Sequence, residues 1–162
     1  MGQEIERKFL VSGSQWQDAV CRKIDYQQGY LTRGKGVSVR IRIGDGKARL
    51  NIKSATLGIV RKEFEYPIPL EDAETMLDEL CGDKTIEKVR HYVEYQGHTW
   101  EIDVFKGAND GLIVAELELN SENEVFALPE WVGEEVSEDS RYFNVALIDN
   151  PYCQWHSKDQ TL

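Results

Sequence analysis

The sequence predicts a mainly β fold of the α+β class: an eight-stranded antiparallel sheet closed into a barrel, with a few helices outside. Three observations carry this expectation. Eight segments alternate polar and apolar residues with the period of two that sends successive side chains to opposite faces of a strand. Several are joined by short Gly- and Asp-containing turns at hairpin spacing. The polar faces carry charged pairs sorted by sign, which a closed sheet can turn inward.

Residues 4–11 form the first strand. Residues 12–23 read as a helix, with Ser12 or Ser14 as N-cap and Trp16, Ala19 and Val20 as apolar positions. Residues 26–32 are a short strand, and Gly34-Lys35-Gly36 turns the chain. Residues 37–43 alternate clearly, with Val39, Ile41 and Ile43 on one face and Ser38, Arg40 and Arg42 on the other. Gly44-Asp45-Gly46 is a hairpin signal, and residues 47–54 return as a strand. A loop around Gly58, residues 55–59, leads to a strand at 60–68. Leu70, Ala73, Met76, Leu77 and Leu80 give the helical period over 70–80, stopped by Gly82. Residues 84–95, 99–105 and 112–119 are three more strands, with turns at Gly97 and Asn109-Asp110-Gly111. Residues 122–148 read as mostly helix and loop. One domain spans 1–148, followed by a polar tail over 149–162.

The 162 residues suffice for one domain with a real core. A net charge of −10 argues against general nucleic-acid binding, which needs a basic footprint. It leaves room for an anionic ligand at a local basic cluster. No apolar run reaches the ~20 residues of a membrane span, and the acidic first strand does not read as a signal peptide. Cys21, Cys81 and Cys153 are odd in number and widely spaced, as expected of reduced residues in a cytoplasmic protein. His91, His98 and His156 lack metal-ligand spacing. Gly34-Lys35-Gly36 precedes a strand and no Gly-Lys-Ser/Thr follows it, so it is no P-loop. Trp16, Trp100, Trp131 and Trp155 read as packing residues.

The faces carry the chemistry. Glu4, Glu6 and Lys8 share a face of the first strand, in steps of about 7 Å. By the same parity Arg40 pairs with Arg42, Arg49 with Lys53, Glu63 with Glu65, Lys88 with Arg90, Glu101 with Asp103, and Glu116 with Glu118. On any one strand a solvated face accounts for such a pair. Across the set, acids from four strands and bases from three make a charged interior. That interior must be self-compensating and wet, because isolated buried charge is costly. Clustered carboxylates without His or Cys are hard ligands for Mg²⁺ or Mn²⁺. Clustered Arg and Lys grip phosphate. Together they suit a metal–polyphosphate complex. Lys8 is either a base towards water or one more phosphate contact. Tyr30 either orients the nucleophile or packs at a barrel mouth.

The opening Glu4-Ile5-Glu6-Arg7-Lys8 resembles the Glu-x-Glu-x-Lys signature of the CYTH, or triphosphate tunnel metalloenzyme, superfamily. Matching segments run through most of the chain: Gln28-Gly29-Tyr30, Val39-Arg40-Ile41-Arg42, Asn51-Ile52-Lys53, Glu63-Phe64-Glu65, Lys88-Val89-Arg90, Glu101-Ile102-Asp103 and Glu116-Leu117-Glu118. Residues 141–147 look like the family's final helix. The resemblance implies an eight-stranded tunnel holding a triphosphate and a divalent metal. By similarity Glu4, Glu6, Asp103, Glu116 and Glu118 serve the metal, and Glu63 or Glu65 supports either group. Lys8, Arg40, Arg42, Lys53, Lys88 and Arg90 hold phosphate. Small members of this length resemble inorganic triphosphatases, with Lys8 and Tyr30 at the positions of a proposed catalytic pair. Hydrolysis of tripolyphosphate is therefore the first expectation. A class IV-type adenylate cyclase or thiamine-triphosphatase, and a non-catalytic polyphosphate- or nucleotide-binding module, are the alternatives. The resemblance also allows a homodimer.

Overall fold

A computed structural model describes residues 2–32, 36–54 and 58–155. The turn expected at Gly34-Lys35, the start of the loop at 55–57, and the tail beyond 155 with His156 lie outside the described residues.

The chain is mainly one antiparallel sheet with few helices. Its strands are β1 (Glu4–Val11), β2 (Val20–Thr32), β3 (Val37–Gly44), β4 (Lys47–Ser54), β5 (Val60–Arg61), β6 (Glu63–Ile68), β7 (Thr85–Tyr95), β8 (His98–Phe105), β9 (Ile113–Glu118) and β10 (Val132–Glu135). The order is β10-β1-β9-β8-β7-β2-β3-β4-β6, with β5 on β1. Asp45 and Gly46, both at positive φ, make the tight β3–β4 hairpin foreseen at Gly44-Asp45-Gly46. Gln96 and Gly97, at φ 46° and 83°, do the same between β7 and β8.

The expected closed barrel of eight strands needs correction. The eighth stave, foreseen as one strand over 60–68, breaks at Lys62. Its first part, β5, pairs with β1, and its second part, β6, pairs with β4. The two ends of the sheet thus meet through one chain segment and not through a continuous ladder, and the sheet is not a closed barrel.

Two helical expectations also fail. Over 12–23 only a short 3₁₀ turn forms, Gln15–Ala19, whose Ser14 makes no side-chain capping bond. Val20 already belongs to β2, which runs 13 residues because it pairs with β7 from Val20 to Gly29. Cross-strand hydrogen bonding thus overrides a weak local helical period. Over 122–148 the chain is largely irregular, with β10 docking on β1 through Phe9↔Glu135 and Val11↔Val132. The short helix α2 (Asn144–Asp149) follows. The helix over 70–80 does form. It starts as α1 (Leu70–Thr75), widens into a π-helical stretch at Met76–Cys81, and ends at Gly82 with φ 59°.

The apolar faces pack outward under these elements. One cluster joins Phe9, Trp16, Trp100, Leu117 and Trp131. A second joins Tyr30, Phe105, Val114, Leu147 and Trp155, so the chain packs onto the sheet as far as Trp155. A third sets Ile41 and Ala48 against Ala73, Leu77 and Cys81. Gly29 is required there: a Cβ on it would lie 2.7 Å from Leu77 and 2.8 Å from the Cys81 sulfur. All four tryptophans are buried. Phe64, on the uncovered edge strand β6, is 44 % exposed.

Candidate active site

Strand register assembles the site. On β1 and β9, Glu6 faces Glu118 and Lys8 faces Glu116. Tyr30 faces Arg40, and Arg40 faces Asn51. Lys53 faces Glu63, Arg90 faces Asp103, and Glu101 faces Glu116. Paired residues point to one side of a sheet, so these side chains converge on a cavity of about 590 Å³. Of the sequence-predicted site residues, Glu4, Glu6, Lys8, Tyr30, Arg40, Arg42, Lys53, Glu63, Glu65, Lys88, Arg90, Glu116 and Glu118 all line it. Seven acidic and seven basic side chains do so among the described residues, which is the self-compensation such an interior requires.

Asp103 is the exception. It is fully buried behind the wall, and both its oxygens are in use. Oδ1 accepts from Arg90 Nε at 2.8 Å. Oδ2 accepts from Lys88 Nζ at 2.8 Å and Arg90 Nη2 at 2.9 Å. The structure places it behind Lys88 and Arg90, holding both, and not among the lining carboxylates. Burial alone would raise its pKa, but Arg90 and Lys88 hold it below the usual range.

The other ions form three groups among the described residues. Arg90 reaches Glu101 at 3.0 Å and Glu116 at 3.2 Å, and Lys8 reaches Glu116 at 3.4 Å. Lys53 lies 3.4 Å from Glu4 and 3.3 Å from Glu63. Arg42 and Arg49 lie 3.8 and 3.5 Å from Glu65. Lys88 is drawn down to about 8, mainly by burial, and stays cationic at neutral pH. Lys53 and Arg42 are also lowered, first by burial and then by neighbouring Arg40. Burial raises the Tyr30 phenol, so it remains neutral.

Glu6 is different. Burial, then Glu116 and Glu4, push it up to about 8. Burial and Glu4 likewise raise Glu118. Glu116 goes the other way: burial would raise it, but Lys8, Arg90 and Lys88 hold it well below the usual carboxylate range, so the shortage of positive charge is local to Glu6 and Glu118. Among the described residues no three acid, His or Cys side chains stand ready converged as a metal cage. Still, Glu4, Glu6, Glu116 and Glu118 are all-oxygen donors on neighbouring strands. They fit a hard divalent cation that takes one or two carboxylates and completes its shell with phosphate oxygens.

Sequence reasoning missed the end wall. Ser140, Phe143, Asn144, Val145 and Ala146 close one side of the cavity. Asn144 Oδ1 accepts from Lys88 and from Gln28, both at 2.9 Å. No strand periodicity marks this segment, and the likeness of 141–147 to a final helix was its one signal. Arg61 was also missed, although it shares the parity of Glu63 and Glu65.

An antiparallel sheet with a charge-balanced cavity, acids on β1 and β9 and bases on β3, β4 and β7, defines a phosphate- and cation-handling class of protein. The CYTH domain family model matches residues 2–149, and the chain belongs to that family. An inorganic triphosphatase of Acetivibrio thermocellus is 45 % identical over 152 residues, covering 94 % of this chain and 97 % of that protein. An inorganic triphosphatase of Nitrosomonas europaea is 36 % identical over 148 residues, covering 89 % and 95 %. A crystal structure of an inorganic triphosphatase superposes with a TM-score of 0.67 at 34 % identity, covering 90 % of this chain and 93 % of that one.

Proposed function

We propose that this protein is a metal-dependent hydrolase that cleaves inorganic tripolyphosphate to diphosphate and phosphate. The observation that carries this is the cavity's charge order: acids gathered on β1 and β9 beside bases on β3, β4 and β7. The close likeness to inorganic triphosphatases supports it.

Arg40, Arg42, Lys53, Lys88 and Arg90 hold the phosphate chain, the arginines by their two-pronged fork. Glu4, Glu6, Glu116 and Glu118 hold a divalent cation, Mg²⁺ or Mn²⁺, with Glu63 and Glu65 steadying the bases beside them. A cation held there would supply positive charge to the phosphates and to the leaving diphosphate. Asp103 acts from behind, fixing Lys88 and Arg90. Water attacks the terminal phosphorus, its oxygen forms the new P–O bond, the anhydride P–O bond breaks, the electron pair leaves on diphosphate, and the proton released by the water passes to a phosphate oxygen. Lys8 donates to Glu116 and to the Tyr142 carbonyl, both at 3.4 Å. Held between Glu116 and that carbonyl, Lys8 acts as a clamp at the reacting phosphate. Tyr30, a buried neutral phenol, orients the water.

The surroundings favour an inorganic substrate over a nucleotide or thiamine ester. Arg42 and Arg90 lie over the Tyr26 ring at 4.4 and 5.7 Å, and Arg22 over Tyr92 at 5.4 Å. Rings covered by guanidinium offer a base a poor stacking face. The free cysteines fit a reducing cytoplasm, and the net charge of −10 fits a small-molecule partner and no nucleic acid. No described helix is long and apolar enough to cross a membrane.

The test is phosphate release from tripolyphosphate, ATP and thiamine triphosphate by EDTA-stripped protein, with and without Mg²⁺ or Mn²⁺, and with cyclic AMP measured in parallel. Metal-dependent release, fastest from tripolyphosphate, is expected. Tight tripolyphosphate binding without release under either metal would overturn the reading.

A further inference from the structure

Among the described residues, five of the seven cavity cations have a carboxylate within 4.0 Å: Lys8, Arg42, Lys53, Lys88 and Arg90. Arg40 and Arg61 do not, and in both the buried Nε–H has no hydrogen-bond partner. A buried donor left unmet costs roughly 1–3 kcal/mol, and more when charged. A guanidinium in this state beside a ligand cavity is set to receive an anion. Arg40 already belongs to the phosphate-gripping set. Arg61 does not.

Arg61 sits on the two-residue strand β5 and pairs across to Glu4 on β1. This is the place where the sheet fails to close as one ladder. Its Nη2 makes only a long bond, 3.4 Å, to the Gly58 carbonyl. Its guanidinium lies 4.8 Å from the centre of the Phe143 ring, and Lys8 Nζ lies 5.5 Å from the same ring. Phe143 therefore holds two cations at the end wall, and one of them, Arg61, has no counter-ion among the described residues. We infer that Arg61 is a further substrate-binding residue, gripping a phosphate oxygen of the polyphosphate chain beside Lys8. This rests on the cavity being a polyphosphate site.

The test is calorimetric binding of tripolyphosphate in EDTA, together with steady-state hydrolysis, for Arg61→Ala, Arg61→Lys and Phe143→Leu. Loss of a charge-assisted hydrogen bond predicts roughly 10- to 100-fold weaker binding in R61A. R61K keeps a point charge without the fork and is expected to fall between R61A and the wild type. F143L removes only the stacked ring and is expected to lose less than R61A. Wild-type affinity in R61A, or equal losses in R61A and F143L, would overturn the assignment. If R61A does not fold, R61K binding as tightly as wild type overturns it. Binding in EDTA needs no turnover, so a wild type that binds but does not hydrolyse refutes the hydrolase and leaves the Arg61 comparison standing.

Discussion

Replacing Asp103 by Asn tests what this carboxylate does. Asn keeps the shape and removes the charge. Lys88 and Arg90, 1 % and 9 % exposed at their side chains, then lose the anion that binds both at 2.8 Å. Breaking a buried ion pair by removing one partner costs about 3–5 kcal/mol. The low end applies here, because Arg90 keeps Glu101 and Glu116 and Lys88 keeps Asn144. About 3 kcal/mol in a chain of this size lowers Tm by roughly 6–12 °C. The assay is a thermal melt in EDTA, repeated with Mg²⁺ and with tripolyphosphate. Tripolyphosphate should raise the Tm of D103N more than that of wild type in absolute degrees, because it supplies the missing negative charge. If Asp103 were instead a metal ligand, its removal would relieve acid–acid repulsion. A metal-free Tm equal to or above wild type, with loss of the Mg²⁺-dependent rise, would refute the reasoning.

Three further outcomes follow from the same geometry. If Lys8 acts as a charged clamp, Lys8→Arg keeps kcat within about tenfold of wild type while Lys8→Ala loses about 10- to 100-fold; equal losses in the two would make it a base. Glu6 is raised to about 8 in the fold from an ordinary 4.5, so the folded state binds its proton more tightly than the unfolded chain. The stability this contributes is complete below pH 4.5 and is lost as pH rises through 8, so the metal-free Tm should fall across that window. Burial shifts Glu101 and Glu118 the same way. Melts with and without EDTA check it: Glu6→Gln and saturating Mg²⁺ should each flatten the slope, and an unchanged slope in E6Q would assign the titration elsewhere. Gly29→Ala should cost about 1–3 kcal/mol, or roughly 2–12 °C of Tm, by driving a methyl into Leu77 and Cys81; an unchanged melt would mean that the helix over 70–81 is free to shift.

Much of the site was legible in the sequence because a strand's period of two is strict. Knowing that Glu4, Glu6 and Lys8 share a face needs only their numbers. The same arithmetic placed Arg40 with Arg42, Lys88 with Arg90, and Glu116 with Glu118, and each of these lines the cavity. Local turn chemistry marked the β3–β4 and β7–β8 hairpins equally well. Parity says which face a residue takes but not what stands beside it there. Asp103 shares its face with Glu101, yet it lies deep between two cations that consume its lone pairs, while Glu101 reaches the cavity.

The composition, the alternating faces and the inventory of charges were therefore determined by the sequence alone, because they depend on neighbours one to four positions away. The tertiary structure decided the rest. Only pairing with β7 turned residues 20–23 from helix to strand. Only the break at Lys62 left the sheet open as a ladder and set Arg61 beside Glu4. Only the docking of residues 140–146 closed the cavity and put Phe143 against Lys8 and Arg61. These outcomes depend on contacts between residues far apart in the chain, where hydrogen-bond pairing and the cost of buried charge outweigh local preference.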